Sequence, residues 1–143
     1  MLRNRFTGAP VQIFPGEREI PLKILIADDS EAVRQRLSEM LSEIAGVQVV
    51  GEACDMVDAL ELFEKSGPDA VILDIRMPRG GGIEALRRIK GKCPRTRVLI
   101  LTNYPCSQYR NKCLQEGADY FFDKSNEFMD VVGVIEGLLS ASG

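Results

Sequence analysis

The sequence predicts an α/β fold, a (βα)5 doubly wound parallel sheet of five strands. Short apolar runs alternate five times with segments in which apolar residues recur at helical spacing. The runs within 23–30, 69–74 and 97–102 are nearly continuously apolar, which is typical of strands buried on both faces of a parallel sheet. Right-handed crossovers between such strands place helices on both sides of the sheet.

The first part of the chain is predicted to form an irregular segment followed by one βα unit. Prolines and glycines punctuate residues 1–21, which we expect to form an extended or disordered N-terminal extension. The first strand then ends at Asp28 and Asp29, and Ser30 suits a helix N-cap. The first helix, of about 14 residues, is expected to end near Gly46.

A second βα unit and a third strand follow. Residues 47–53 form the second predicted strand, in which β-branched residues dominate. Asp55 is positioned to cap a second helix, and Gly67 ends that helix. The third strand, 69–74, carries Asp74 at its end, where a loop rich in glycine begins.

The second half of the chain repeats the pattern. Three glycines lead into a third helix that begins near Gly82. The fourth strand, 97–102, ends in Thr102, and the fifth strand, 118–124, ends in Lys124. A fourth helix connects these strands, and a fifth helix follows them. The apolar stripe of that last helix is formed by Phe128, Val131, Val132, Ile135, Leu138 and Leu139.

Composition narrows the classes of function. Histidine is absent, so this chain has no histidine base, histidine metal ligand or phosphohistidine of its own. The net charge of -3 gives no argument for direct nucleic-acid binding by this domain. The four cysteines lack zinc-site spacing, and we expect reduced thiols in a cytoplasmic protein. No membrane span or signal peptide is recognisable in the sequence. Residues 22–143 are expected to form one domain.

Charged and polar side chains stand at the ends of four predicted strands: Asp28 and Asp29, Asp74, Thr102 and Lys124. Ligands of open parallel sheets bind at the carboxyl ends of the strands, so these side chains are expected to converge. Three carboxylates would repel one another unless a cation lay between them, and oxygen ligands favour Mg²⁺. The arrangement predicts Asp74 as a nucleophile that accepts a phosphoryl group, with the lysine and the hydroxyl neutralising charge on the phosphoryl oxygens.

The motifs at these strand ends resemble those of a known family. Taken in chain order they read IADDS, LDIRMP, LTN and GADYFFDKS. Together they resemble the receiver domain of a two-component response regulator of the chemotaxis-regulator type, over residues 23 to about 139. The resemblance implies a flavodoxin-like sheet with strand order 2-1-3-4-5.

The resemblance also implies how the phosphoryl group and the metal are held. Asp74 matches the phosphoacceptor, which becomes a 4-aspartylphosphate. Asp29 matches the direct Mg²⁺ ligand, whereas Asp28 acts largely through water. Asp74 itself and the backbone carbonyl of Arg76 complete the implied metal site.

Further residues match the positions that set switching and phosphoryl lifetime. Thr102 matches the switch hydroxyl, and Lys124 matches the lysine that pairs with the phosphoryl group. Phe121 matches the aromatic residue that changes rotamer on activation. Arg76 and Tyr104 occupy the two positions that tune lifetime. Both are bulky enough to hinder an attacking water, so slow autodephosphorylation is expected.

The function implied is a phosphoaccepting signalling switch rather than a turnover enzyme. The donor would be a sensor histidine kinase or a phosphotransfer protein. Phosphorylation would change the face built from the fourth helix, the fifth strand and the fifth helix. That face would then bind a downstream protein, a fused output domain or a second copy in a phosphorylation-dependent dimer.

Four hypotheses remain at this point. The chain is either a single-domain regulator or the receiver half of a DNA-binding transcriptional regulator. A small Mg²⁺-dependent phosphohydrolase with an aspartyl-phosphate is disfavoured, because Arg76 stands where such enzymes need a second acid. A flavin-binding module is also disfavoured, because DDSEAV after the first strand offers carboxylates in place of a Ser/Thr-rich phosphate loop.

Overall fold

Strands and helices alternate throughout the part of the chain that the computed structural model describes, residues 20–142. Residues 1–19 of the predicted N-terminal extension lie outside the described residues. The strands are β1 (Leu22–Ala27), β2 (Val47–Ala53), β3 (Ala70–Leu73), β4 (Arg97–Thr102) and β5 (Tyr120–Asp123). The helices are α1 (Glu31–Ser42), α2 (Met56–Ser66), α3 (Gly82–Lys92), α4 (Ser107–Gln115) and α5 (Asp130–Ser142).

The strands form one parallel five-stranded sheet in the order β2-β1-β3-β4-β5, which confirms the predicted order. Its register sets which strand ends meet. Ala27 pairs with Leu73, and Thr102 pairs with Asp123. The residues that follow these pairs therefore emerge side by side at the carboxyl edge of the sheet.

Each face of the sheet is covered by its own layer of helices, which makes the fold doubly wound as predicted. Leu25, Leu73 and Ile100 lie in a core layer with buried side chains of α2, α3 and α4. Ile24 and Ile72 lie in the opposite layer with α1 and α5. Strand residues alternate between the layers because successive side chains point to opposite faces of a sheet. Both layers are apolar, and this accounts for the nearly continuous apolar runs.

Helix ends follow the predicted signals, with one difference. The Ser30 hydroxyl accepts a hydrogen bond from the Val33 N–H (3.3 Å). The Asp55 carboxylate accepts one from the Asp58 N–H (2.8 Å), and Gly67 ends α2 in the left-handed conformation. The first helix stops at Ser42, before the predicted end, because the Ile44 N–H donates to the Leu41 carbonyl oxygen (3.1 Å) in a tight turn.

The stripe of α5 is a packing surface. Val131, Ile135 and Leu139 are buried against the sheet. Phe128, which the sequence assigned to the same helix, lies in the preceding turn. The Arg36 guanidinium covers its ring at 4.1 Å from the centroid. None of the helices within residues 20–142 has the length and apolarity needed to cross a membrane.

Candidate functional site

The carboxyl edge of the sheet brings Asp28, Asp74, Thr102 and Lys124 together. Asp28 and Asp74 follow the paired residues at the ends of β1 and β3, and the Asp74 N–H donates to the carbonyl oxygen of Ala27 (3.0 Å). Lys124 follows β5, and its N–H donates to the carbonyl oxygen of Thr102 (2.9 Å). Backbone pairing between strands thus fixes where each of these side chains starts.

Lys124 bridges the two aspartates of this edge. Its Nζ lies 2.6 Å from Asp28 Oδ2 and 3.0 Å from Asp74 Oδ2. The exposed fractions of the three side chains are 8% for Lys124, 3% for Asp28 and 5% for Asp74. The Ser30 N–H donates to Asp28 Oδ1 (2.8 Å). Nearly buried charges of this kind interact more strongly than surface ion pairs, since little water screens them.

The cluster contains two buried carboxylates but only one ammonium group. Burial raises the pKa of Asp28 above its usual value, and the nearby charge of Asp74 adds to this, although Lys124 and Ser30 oppose it. Burial would lower the pKa of Lys124, but its hydrogen bond to Asp28 and the two carboxylate charges outweigh burial and raise it. The raised pKa of Asp28 and the raised pKa of Lys124 are consistent with each other, because one ammonium group forms ion pairs with two buried carboxylates.

The acidic side chains are close enough to share a cation. Carboxylate oxygens of Asp28, Asp29 and Asp74 lie within 4.8 Å of one another. Asp29 is exposed, so the cluster is open to solvent on its side. Hard divalent cations prefer oxygen ligands and retain water on the open side. The donor set therefore fits Mg²⁺, and its spare negative charge gives a reason for a cation to enter.

A second acidic group illustrates the contrast. Cys54, Asp55 and Asp58 also lie within 4.8 Å of one another. There the protein supplies the cation, because Arg79 Nη2 lies 2.9 Å from Asp55 Oδ2. The hydrogen bond from the Asp58 N–H lowers the pKa of Asp55, and Arg79 adds to the effect. Helix capping and an ion pair account for this group.

Thr102 lies at the edge of the sheet that carries the charged cluster, whereas Phe121 lies in the hydrophobic core. Thr102 is fully buried at the end of β4, and its Oγ1 accepts a hydrogen bond from the Tyr104 N–H (3.0 Å). Phe121 is paired with Ile100 and packs in the core layer beneath α4. The Arg110 guanidinium lies 5.6 Å from its ring centroid. Phe121 is therefore a core residue next to α4, and Thr102 is the one of the two that lies at the charged edge.

Arg76 and Tyr104 contact each other across the gap between the loops after β3 and β4. The Arg76 guanidinium carbon lies 4.3 Å from the Tyr104 ring centroid. Arg76 Nη2 also donates to the hydroxyl of Tyr109 in α4 (3.2 Å). The sequence indicated Tyr109 only as a marker of the fourth helix. Nothing in the spacing of these residues signals the contact, because it depends on side-chain conformation.

The loop after Asp74 is shaped by close backbone contact. The Gly82 N–H donates to the carbonyl oxygen of Ile75 (2.7 Å). A Cβ on Gly82 would overlap the carbonyl oxygen of Asp74 and would lie 2.8 Å from its carbonyl carbon. α3 can therefore begin directly against the backbone of Asp74 only because residue 82 has no side chain.

Comparison with known proteins gives one consistent result. Residues 24–136 match the family described as response regulator receiver domain. A putative transcriptional regulator of Pseudomonas aeruginosa is 36% identical over 118 residues, which are 82% of this chain and 56% of that protein.

Solved structures extend the comparison to the fold. A LuxR-family two-component response regulator from Aurantimonas has a TM-score of 0.77 and 32% identity, with 85% of this chain and 86% of that chain covered. The CheX–CheY–BeF3–Mg complex from Borrelia burgdorferi has a TM-score of 0.73 and 27% identity, with 84% and 96% covered. This chain spans about half the length of the curated relatives that it matches.

Proposed function

This chain belongs to the response regulator receiver domain family, and on that premise we propose that it accepts a phosphoryl group on Asp74 and acts as a signalling switch. The observation that carries the proposal is the buried bridge of Lys124 between Asp28 and Asp74. At one edge of the sheet it brings together the carboxylate that we propose as the nucleophile, an ammonium group to neutralise the phosphoryl oxygens, and the acidic group that would hold a metal. The phosphohydrolase and flavin alternatives have no comparable support.

Phosphoryl transfer here is mainly a matter of position and charge. A carboxylate oxygen of Asp74 bonds to phosphorus while the bond between phosphorus and the donor breaks. Lys124 donates to the phosphoryl oxygens, and the Thr102 hydroxyl donates to another of them. Mg²⁺, held by Asp28, Asp29, Asp74 and the carbonyl of Arg76, would neutralise negative charge on the transferring group.

A phosphohistidine donor has to lie outside this sequence. Because this chain contains no histidine, a phosphohistidine donor has to come from a sensor histidine kinase or a phosphotransfer protein. The product is an acyl phosphate on Asp74, which is a modified state of the protein. We therefore propose a cytoplasmic switch that changes partners rather than an enzyme that turns over substrate.

The proposed output begins at Thr102. Attraction of its hydroxyl to the phosphoryl group would disturb the hydrogen bond with Tyr104 and leave room toward which Phe121 can move. The face built from α4, β5 and α5 would then bind a downstream protein or a second copy of the chain. Relatives described as transcriptional regulators, about twice as long as the part matched, favour the receiver half of a DNA-binding regulator.

The proposed function predicts stoichiometric phosphorylation by a small donor. Incubation with acetyl phosphate and Mg²⁺ should add one phosphoryl group, detected by intact-protein mass spectrometry and mapped to Asp74 after reductive trapping. Addition of EDTA should prevent the gain. Asp74→Asn should not be labelled, whereas Asp55→Asn, a matched change in the second acidic group that keeps the helix cap, should be labelled normally. Steady release of phosphate without a labelled protein would instead indicate a phosphohydrolase.

We also propose that Arg76 and Tyr104 slow hydrolysis of the phosphorylated protein. Their contact places two bulky side chains between the loops that carry Asp74 and Thr102. Arg76→Asn should speed phosphoryl loss about tenfold, which corresponds to about 1.4 kcal/mol in the barrier. The measurement is the decay of labelled protein after the donor is removed. A wild-type protein that loses its phosphoryl group rapidly, at a rate that Arg76→Asn leaves unchanged, would contradict this role.

A further inference from the structure

Tyr109 is a third member of the contact between Arg76 and Tyr104. The three side chains come from three different segments: the loop after β3, the loop after β4 and the first turn of α4. Arg76 and Tyr104 are exposed, whereas Tyr109 is half-buried and packs against the core layer that contains α3. Tyr109 is thus the most buried member of the group.

The two contacts of Arg76 restrain it in different ways. Stacking on Tyr104 keeps the guanidinium near the ring at 4.3 Å but leaves it free to slide over the ring face. The hydrogen bond to the Tyr109 hydroxyl, at 3.2 Å, is directional and defines one position on that face.

We propose that Tyr109 is a positioning residue that fixes Arg76 over Tyr104 and thereby lengthens the lifetime of the phosphorylated protein. The proposal rests on the proposed function of Asp74. In the reaction that is slowed, a water oxygen bonds to phosphorus and the bond between phosphorus and the Asp74 carboxylate oxygen breaks. Inorganic phosphate leaves, the water proton passes to it or to solvent, and Asp74 returns to a carboxylate.

The rate of hydrolysis depends on the fraction of time during which water can approach the phosphorus atom. A free arginine side chain samples many rotamers, and each departure from Tyr104 leaves a path for water between the two loops. The tyrosine hydroxyl reduces this sampling because its ring is packed and its bond to Arg76 accounts for one guanidinium N–H. Removing the hydroxyl alone should therefore change hydrolysis without removing any bulky group.

The experiment compares decay of the phosphorylated protein in four forms: wild type, Tyr109→Phe, Arg76→Asn and the double variant. Each is labelled with acetyl phosphate and Mg²⁺, freed of donor and followed by mass spectrometry. Tyr109→Phe should decay about threefold faster than wild type, the size expected for the loss of one partly exposed hydrogen bond. The double variant should decay at the rate of Arg76→Asn, since Tyr109 acts through that residue.

A matched control and a second measurement separate positioning from general damage. Tyr120→Phe also removes one tyrosine hydroxyl, from a ring that stacks on Phe122 in β5, and should decay at the wild-type rate. Tyr109→Phe should still be labelled at Asp74 and should still require Mg²⁺, because Asp74 and Lys124 are untouched.

Each result has a defined meaning. Wild-type decay in Tyr109→Phe, or additive effects in the double variant, would overturn the role of Tyr109 while labelling of Asp74 stands. Failure of the wild-type protein to take up phosphate would overturn the proposed function, and the role of Tyr109 with it. Faster decay in Tyr109→Phe that disappears in the Arg76→Asn background would support the proposal.

Discussion

Replacement of Lys124 by methionine is expected to lower the free energy of unfolding by about 3 kcal/mol at neutral pH. Methionine fills a similar volume but removes the ammonium group that bridges Asp28 and Asp74 at 2.6 and 3.0 Å. Two nearly buried carboxylates would then face each other without a protein cation. Urea denaturation of the two proteins at matched pH and metal concentration measures the difference.

The loss should depend on pH in a defined direction. Burial already raises the pKa of Asp28, and removal of Lys124 removes the largest opposing influence. A carboxyl with a raised folded-state pKa binds a proton more readily when native than when unfolded. Its destabilising effect is therefore greatest above the folded-state pKa and shrinks as pH falls toward 3.8, the ordinary value. Mg²⁺ should also restore part of the stability at neutral pH, since it neutralises the same carboxylates.

Lys90→Met provides a matched control at the opposite edge of the sheet. Lys90 Nζ lies 2.8 Å from Asp119 Oδ2, away from the acidic cluster. Burial would raise the pKa of Asp119, but hydrogen bonds from Lys90 and the Val98 N–H outweigh burial and lower it. Lys90→Met should destabilise the protein with no change in its response to Mg²⁺. Equal losses in Lys124→Met at every pH and metal concentration would contradict the electrostatic account.

The sequence predicted the fold well because its signals were local and mutually consistent. Strands that are buried on both faces of a parallel sheet are apolar along their whole length. Ser30 and Asp55 mark helix starts through their own hydrogen bonds, and Gly67 marks a helix end through its backbone conformation. The candidate site followed from the same pattern. Once Asp28 and Asp74 end neighbouring parallel strands, their proximity needs no further information.

The fourth helix was predicted less well. The sequence indicated it through Cys106, Tyr109, Cys113 and Leu114, but Cys106 is exposed before the helix and Leu114 is 45% exposed. A nine-residue helix with few apolar side chains can be rotated about its axis without a large change in buried apolar area. Its orientation depends on partners such as Arg76, which lies 33 residues away from Tyr109 along the chain. Periodicity does not contain that information.

Gly82 shows a further limit of sequence reasoning. The sequence indicated the three glycines at 80–82 only as a lead into the third helix. In the structure Gly82 is instead a contact point with the backbone of Asp74, whereas Gly80 and Gly81 adopt positive φ angles of 131° and 80°. Adjacent glycines therefore have different structural roles, one allowing close backbone contact and two adopting positive φ angles, and the residue type alone does not distinguish these roles.

Gly82→Ala is expected to lower the free energy of unfolding by about 3 kcal/mol and to impair phosphorylation of Asp74. The added Cβ would overlap the Asp74 carbonyl oxygen and would lie 2.8 Å from both the Asp74 carbonyl carbon and Ile75 Cα. These are backbone atoms at the end of a central strand, so they cannot rotate away as a flexible side chain would. Relief requires α3 to move outward or Asp74 to shift from its position beside Lys124.

Gly91→Ala is the control that isolates this contact, because it makes the same chemical change within the same helix. A Cβ on Gly91 would meet nothing within 4 Å among the described residues. Alanine there should raise stability by about 0.5 kcal/mol, since glycine in a helix loses more backbone entropy on folding. Thermal and urea denaturation should therefore give opposite signs for the two variants, and only Gly82→Ala should reduce labelling by acetyl phosphate. If both variants gained stability, the loop after Asp74 would yield at little cost, and the start of α3 would not restrain the phosphorylation site.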